Sequence, residues 1–178
     1  MRIISGRYKS RLIKVPANLK ARPTTDFARE NLFNILNNTI DWEETNALDL
    51  FSGTGSIAFE LVSRGCPRVV SVEENSSHHK FICMTKDSLE AKELSPLRAD
   101  AFKYIKSGSE KFDFIFADPP YDHKLLATIP ELIFNSEILN QEGLFILEHS
   151  RDHNFENYPS FWKEKKYGSV HFSMFLKQ

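Results

Sequence analysis

Cysteines and long apolar runs are both scarce in this sequence, and each scarcity excludes a class of protein. Its two cysteines, Cys66 and Cys83, form no Cys-x-x-Cys pair, which favours free thiols over a disulfide framework. No apolar run approaches the roughly 20 residues of a membrane helix, and the first residues lack the apolar core of a signal peptide. We therefore expect a soluble, cytoplasmic protein. At 178 residues the chain is long enough to fold as a single domain without a disulfide or a metal.

Acidic residues are absent from the first 22 positions, which carry seven basic ones: Arg2, Arg7, Lys9, Arg11, Lys14, Lys20 and Arg22. The remaining 156 residues hold 16 basic and 24 acidic side chains, so a net charge of -1 conceals a basic segment of +7 on a body of -8. Clustered cations of this kind provide the salt-dependent part of binding to a phosphate backbone. The alternative is a solvated basic edge that has no partner.

The pattern of apolar residues predicts an α/β fold. A hairpin is expected from 2–5 and 11–15, and a helix near 25–38. Strands are expected at 47–51, 68–73, 96–99, 112–117 and 144–148, alternating with helices near 55–64, 75–90, 101–106 and 124–135. Such alternation of apolar strands with helices favours a parallel sheet covered on both faces. Segments 160–167 and 169–176 flank Gly168 with no room for a crossover helix, so they should form an antiparallel hairpin.

A glycine turn after the first predicted parallel strand suggests a cofactor floor, that is, the base of a cofactor-binding site. Residues 48–56 run from the strand through Gly53 and Gly55 into a helix, and Glu73 ends the next strand 20 positions after Gly53. A carboxylate placed there can accept both hydroxyls of a ribose. The expected cofactor-binding residues are Asp49, Phe51, Ser52, Gly53, Thr54, Gly55, Glu73, Asp100 and Ala101. An ordinary tight turn remains the alternative for the glycines, and a helix N-cap is the alternative for Asp100.

Two cofactors compete for this floor, a nicotinamide dinucleotide and S-adenosylmethionine. The dinucleotide fingerprint needs a third glycine where this chain has Ala58, and the Asp49 carboxylate would repel a pyrophosphate. The sulfonium and ammonium groups of S-adenosylmethionine suit an acidic floor. We therefore favour S-adenosylmethionine.

The tetrapeptide Asp118-Pro119-Pro120-Tyr121 follows an apolar strand and is typical of a site that holds a planar amine. Two prolines remove two backbone donors, which should leave carbonyls available to an NH2 group. Asp118 adds a carboxylate acceptor, and Tyr121 adds a ring on which a base can stack. The four residues are the predicted catalytic site, although the motif could also be a stiff turn that ends a strand.

The six histidines provide little evidence of a metal, and no metal site is expected. His149 and His153 are four positions apart in a predicted loop, which disfavours a metal pair, and His78 and His79 are expected on a solvated helix face. His123, two residues after Tyr121, is close enough in sequence to touch a substrate.

These motifs resemble the RsmD family within the class I S-adenosylmethionine-dependent methyltransferases. The resemblance rests on residues 1–6, on Arg22-Pro23-Thr24, on residues 29–36 and 48–55, on Ser63-Arg64-Gly65 and on Asp118-Pro119-Pro120-Tyr121. It implies a Rossmann-like sheet of seven strands, mostly parallel, with an antiparallel last strand. Ser52 and Asn75 depart from the residues usual in the family, alanine and aspartate, without removing a group that the chemistry requires.

The resemblance also implies a function, which is methylation of the exocyclic N2 of one guanine in 16S (small-subunit) ribosomal RNA. Expected contacts to that RNA are Arg7, Lys9, Arg11, Arg22, Thr24 and Tyr121. The expected organisation is a single domain, in which a basic hairpin and helix (1–40) precede the catalytic core (41–178). We expect a monomer that acts on ribosomal RNA, either naked or within an assembling small subunit. The alternatives are a DNA adenine-N6 methyltransferase and a non-catalytic RNA-binding module of the same fold.

Overall fold

The computed structural model describes residues 1–19 and 26–178 and contains a seven-stranded sheet in the order β3-β2-β1-β4-β5-β7-β6. The strands are β1 (Asn46–Leu50), β2 (Arg68–Val72), β3 (Leu94–Leu97), β4 (Phe112–Ala117), β5 (Leu139–His149), β6 (Phe161–Tyr167) and β7 (Val170–Leu176). The helices are α1 (Asp26–Leu36), α2 (Ser56–Arg64), α3 (Ser76–Leu89), α4 (Ala101–Ser107) and α5 (Ile129–Asn135), with 3-10 turns at Trp42–Glu44 and Leu126–Thr128. Within these residues no helix has the length and apolar character needed to cross a bilayer.

The sheet confirms the predicted topology. Strands β3, β2, β1, β4 and β5 pair in parallel, whereas β7 lies antiparallel between β5 and β6. The β6–β7 hairpin turns at Gly168, whose φ of 64° is readily adopted by a residue without a Cβ. Apolar side chains fill both faces of the sheet as two separate clusters. The carboxyl ends of β1, β2 and β4 therefore meet at one edge, where a parallel α/β sheet usually binds ligands.

Several elements differ from their predicted bounds, and prolines account for two of the differences. Strand β3 lies at Leu94–Leu97 instead of 96–99, and it tolerates Pro96 because it is an edge strand. The helix expected over 124–135 divides into a 3-10 turn and α5, which has a proline at its first turn, Pro130. Strand β5 begins at Leu139, five residues before the predicted start.

The predicted N-terminal hairpin is present as a short one, in which Arg2 and Leu12 form an isolated antiparallel bridge. The Ile3 amide donates to the Arg11 carbonyl at 3.1 Å and the Ile13 amide to the Met1 carbonyl at 2.8 Å. Helix α2 binds the backbone groups that follow this bridge. The Glu60 carboxylate accepts hydrogen bonds from the Ile4 and Ser5 amides at 2.8 and 3.0 Å. The Arg7 amide donates to the Ser63 carbonyl at 2.7 Å. Docking onto α2 thus continues the hydrogen bonding of this segment where strand pairing ends.

Glu60 is fully buried, and its charge is balanced within the protein. Arg64, one turn further along α2, lies 2.8 Å from the same carboxylate and also stacks its guanidinium over Phe33 of α1, 4.5 Å from the ring centre. A buried carboxylate needs this many donors because it has left water. Glu60 therefore joins the N-terminal segment, α1 and α2.

We expect Glu60→Gln to lower the free energy of unfolding by about 3 kcal/mol, because an NH2 group replaces one of the two oxygens that accept from Ile4 and Ser5, and Arg64 loses its counter-ion. Urea denaturation measures this loss. The matched control is Glu110→Gln, which removes the exposed partner of Arg68 and should cost less than about 1 kcal/mol. Equal losses in the two variants would contradict the role assigned to Glu60.

Candidate functional site

A cleft of about 810 Å³ opens at the carboxyl edge of β1, β2 and β4. It brings together three sequence motifs that are far apart in the chain. The predicted site residues that line it are Phe51, Gly53, Glu73, Asp100, Ala101, Asp118, Pro119, Pro120 and Tyr121. One surface therefore holds the expected cofactor floor and the expected amine-binding motif.

The turn from β1 to α2 forms the base of the cleft through an unusual backbone path. Phe51, Gly53 and Gly55 all have positive φ, at 58°, 54° and 77°. For Gly55 packing adds a second reason, since a Cβ would lie 3.0 Å from the Phe59 ring and 3.1 Å from Ile82. Phe51 has no such freedom, so the surrounding contacts must hold it in this strained region.

Four predicted cofactor residues, Asp49, Ser52, Thr54 and Gly55, are buried in or beneath this turn and are not part of the cleft lining. Asp49 Oδ2 accepts from the Ala58 amide at 3.2 Å, and the Ser52 hydroxyl donates to the Asp49 carbonyl at 2.7 Å. Burial raises the pKa of Asp49 to about 7, against an ordinary value of 3.8. Asp49 thus shapes the turn from below, whereas Phe51 and Gly53 face the cleft.

Glu73 is held in place by two backbone amides. Its Oε2 accepts from Gly53 N and its Oε1 from Asn75 N, both at 2.7 Å. Each oxygen of a carboxylate has a second lone pair, so the group can still accept from a ligand. Asn75, one of the two departures from the family pattern, caps α3 by accepting from the amides of Ser77 and His78.

Asp100 and its neighbours form a second wall of the cleft. Asp100 Oδ1 accepts from Lys103 N at 2.9 Å, so the residue is the N-cap of α4 and also lines the cleft. Phe102 stacks on His123 with ring centres 4.8 Å apart, and its edge meets Phe51 at 5.5 Å. Sequence reasoning missed Phe102, although its position next to Ala101 was a usable signal.

The Asp118–Tyr121 motif ends β4, and the Asp118 amide donates to the Leu50 carbonyl at 3.3 Å. The Pro120 carbonyl accepts from the His123 amide at 2.9 Å, so it is not among the carbonyls that the motif leaves available. None of the hydrogen bonds found among the described residues ends on the Pro119 carbonyl. Pro119 therefore offers the backbone acceptor that the motif predicts.

Tyr121 is fixed by a residue that sequence reasoning did not select. Its hydroxyl donates to Glu148 Oε1 at 2.9 Å, and Glu148 is only 1% exposed near the end of β5. The sequence did contain an indication of its role, because Glu148 is a single acidic residue at the end of a continuous apolar strand, where an unpaired charge would be costly. This contact orients the Tyr121 ring beside the cleft.

Four basic residues of the N-terminal segment, Arg7, Lys9, Arg11 and Lys14, lie along α2 and α3. Arg7 forms an ion pair with Glu93 at 2.5 Å, which raises its pKa, and lies near Ser63 at the end of α2 away from the cleft. A helix of nine residues is roughly 13 Å long, and Lys9 belongs to the same distal turn. Arg11 and Lys14 line a groove of about 620 Å³ beside α3. Arg22 and Thr24 lie outside the described residues.

Sheet order, the reversed strand β7 and the glycine turn after β1 define the class I methyltransferase fold. The solved structure of the Escherichia coli protein yhhF superimposes with a TM-score of 0.87 at 26% identity, covering 100% of this chain and 98% of that chain. The chain is also similar to proteins named Ribosomal RNA small subunit methyltransferase D. The one from Buchnera aphidicola is 31% identical over 99% of this chain and 91% of its own length. The one from Escherichia coli K12 is 26% identical over 100% and 90%.

A family model described as Conserved hypothetical protein 95 matches residues 1–176. The chain belongs to this family, which is the RsmD family that its motifs resemble.

Titration of Asp49 should make the free energy of unfolding fall as the pH rises, whereas a carboxylate with a lowered pKa has the opposite effect. Because its pKa is about 7 when folded and near 3.8 when unfolded, the folded chain retains a proton that the unfolded chain loses. The stability of the wild type relative to Asp49→Asn should therefore be greatest near pH 4 and fall as the pH rises towards about 7. Denaturation of both proteins across this range measures the difference. Parallel stability curves would contradict a titrating Asp49.

Proposed function

We propose that this protein transfers a methyl group from S-adenosylmethionine to the exocyclic N2 of a guanine in small-subunit ribosomal RNA. The observation that supports it best is the single cleft shared by the acidic residues Glu73 and Asp100 and by the amine-binding motif Asp118–Tyr121. A methyl donor and an amine acceptor have to meet in one cleft of this kind.

The residues of the cleft fit S-adenosylmethionine, which when bound supplies an electrophilic methyl group on a sulfonium. Glu73, already oriented by two amides, can accept the ribose hydroxyls. Asp100 can accept from an adenine amine through the carboxylate oxygen that does not cap α4. The aromatic pair of Phe102 and His123 offers a flat wall. Acidic groups at the floor favour a cationic ligand over a pyrophosphate.

The amine would be held by Asp118 and by the Pro119 carbonyl. Two acceptors that bind the two N–H groups turn the amine so that its lone pair faces the methyl carbon, and such positioning is worth several kcal/mol of barrier. Asp118 would take the proton that the nitrogen loses as it gains the methyl group. Tyr121, held by Glu148, would stack on a base that has left its helix.

The choice of guanine N2 rests on the family and on the names of its members, because the cleft chemistry suits any planar amine. Adenine N6 in DNA is the main alternative, since the same motif would serve that amine. A non-catalytic RNA-binding module would be expected to lack a cleft residue that the transfer requires. Here Glu73, Asp100 and the Asp118–Tyr121 motif all line the cleft.

Labelled-methyl transfer tests the proposal directly. Purified protein is incubated with labelled S-adenosylmethionine and with naked ribosomal RNA, small subunits or DNA, and the modified nucleosides are then identified. N2-methylguanine in ribosomal RNA or in the small subunit is the expected product. N6-methyladenine in DNA would favour the alternative enzyme, and no transfer to any acceptor would contradict the proposal.

Asp118→Ala should abolish methyl transfer, with S-adenosylmethionine binding changed less than about threefold, because the carboxylate is assigned to the amine and not to the cofactor. Activity and calorimetric cofactor binding are measured on the same preparation. Asp87→Ala, an exposed carboxylate near the end of α3, is the control and should retain full activity. Turnover retained by Asp118→Ala would refute the assignment.

Binding of the RNA backbone is assigned to the basic residues of the N-terminal segment. Deleting that segment is a poor test, because the buried Glu60 would lose its backbone donors. Lys14 and Lys80 are better probes, since both are exposed, line the groove beside α3, and have no acidic partner among the described residues. The first turn of α3 borders the cleft through His78, so this groove leads towards the site.

The double variant Lys14→Gln/Lys80→Gln should weaken binding of single-stranded ribosomal RNA and lower the slope of log K against log salt by about 1.4, at roughly 0.7 for each lost phosphate contact. The control is Lys92→Gln/Lys111→Gln, which makes the same change of charge next to the amino ends of β3 and β4. Fluorescence anisotropy across a salt series measures both. Equal effects of the two double variants would mean that net charge alone governs binding.

A further inference from the structure

Three ligand-type side chains converge on one face of the sheet, outside the cleft. His149 at the end of β5 pairs directly with His171 at the start of β7, and Glu164 of β6 lies opposite Ser173, two residues along β7. Residues paired across strands, and those two apart on one strand, share a face. His149, Glu164 and His171 therefore come together although they are spread over 23 positions of the sequence.

Their spacing matches that of ligands around a small metal ion. Glu164 Oε1 lies 3.1 Å from His171 Nδ1 and 3.7 Å from His149 Nε2, and all three ligand atoms lie within 4.8 Å of one another. A tetrahedral ion with bonds of 2.0–2.1 Å separates its ligand atoms by roughly 3.3 Å. Only small movements would bring the three atoms to that geometry.

The protonation of His149 also suits a ligand. Its Nδ1 lies 2.7 Å from the Ser150 carbonyl, which can only accept, so Nδ1 carries the proton and Nε2 has the lone pair. A carbonyl partner of this type orients metal-bound imidazoles and fixes their tautomer. The ring is fully buried, so its environment holds it in this orientation.

Three neighbouring polar residues, Lys166, Ser173 and His153, would be close to an ion bound between these side chains. Lys166 is 2.7 Å from Glu164 Oε2, which is the other carboxylate oxygen. The Ser173 hydroxyl lies 2.8 Å from His149 Nε2 and would have to turn away or act as a fourth ligand. The His153 ring, 6.2 Å from that of His149, stands outside the first set of ligands.

We propose that His149, Glu164 and His171 form a binding site for a zinc-like divalent ion. Two imidazoles and one carboxylate make a ligand set typical of zinc, with a fourth position left for water or Ser173. An ion there joins β5, β6 and β7, and so secures the edge strand β6 to the sheet. It also fixes the end of β5 next to Glu148, which orients Tyr121. The sequence disfavours a metal pair of His149 with His153, and the strand register supplies different partners for His149.

Zinc binding by the full chain tests this site independently of the proposed methyl transfer. Chelator-treated protein is dialysed against zinc chloride, and bound zinc is counted by elemental analysis. Cobalt(II) substitution then reports a tetrahedral site through its visible absorption. We expect one ion per chain, a rise in melting temperature on adding zinc, and at least a tenfold loss of affinity in Glu164→Gln and in His171→Asn.

The control is His79→Asn on α3, where a second possible ligand, Cys83, lies 3.7 Å away. This variant should bind zinc as the wild type does. Circular dichroism of each variant shows whether it is folded, and Glu164→Gln keeps the size of the side chain in case His171→Asn fails to fold. Unsaturable binding, or equal affinity in Glu164→Gln and the wild type, would mean an adventitious ion only and would overturn the proposal.

Discussion

The burial of helix α2 from Ile57 to Ser63 is the constraint on which the rest of the molecule depends. Every residue from Ile57 to Ser63 is buried, so each polar group on this helix needs a partner inside the protein. At its first turn the Ala58 amide binds Asp49 and fixes the turn that floors the cleft. In its second half Glu60 and Ser63 bind the backbone of the N-terminal segment. One helix thus sets both the cleft and the position of the basic residues.

This arrangement explains how a charged residue can stabilise a core position. An isolated carboxylate at Glu60 would be expelled by its loss of hydration, but two amides and Arg64 replace the water. The same donors would otherwise be unsatisfied, because Ile4 and Ser5 belong to no strand. The Glu60 carboxylate and the two backbone amides therefore satisfy each other. Loss of the carboxylate or of the amides would leave the remaining polar groups without their partners.

Sequence periodicity predicted the order of strands and helices because continuous apolar strands and amphipathic helices are local signals. The N-terminal hairpin was predicted, but its docking onto α2 was not, since the partner of the Ile4 amide, Glu60, lies 56 residues away and leaves no local trace. The types of residue at the cleft were predictable from the sequence. Which of them face the cleft and which pack into the core was not. Nothing in the sequence distinguishes Gly53, which lines the cleft, from Gly55, which packs on Phe59. Glu148 was missed for the same reason, because its partner, Tyr121, is 27 residues away.

The distribution of charge bears on how a nucleic acid would approach. An acidic body repels a phosphate backbone, so attraction has to come from the few cations that remain uncompensated. Arg7 is neutralised by Glu93, and Arg2 lies 3.7 Å from Glu30. The effective positive charge of the segment is therefore smaller than its formal charge of +7. The exposed Lys14 stands beside α3, the helix whose first turn reaches the cleft. Ion pairing within the fold therefore weakens the field at the distal turn, where Arg7 lies, and leaves that of Lys14 beside α3.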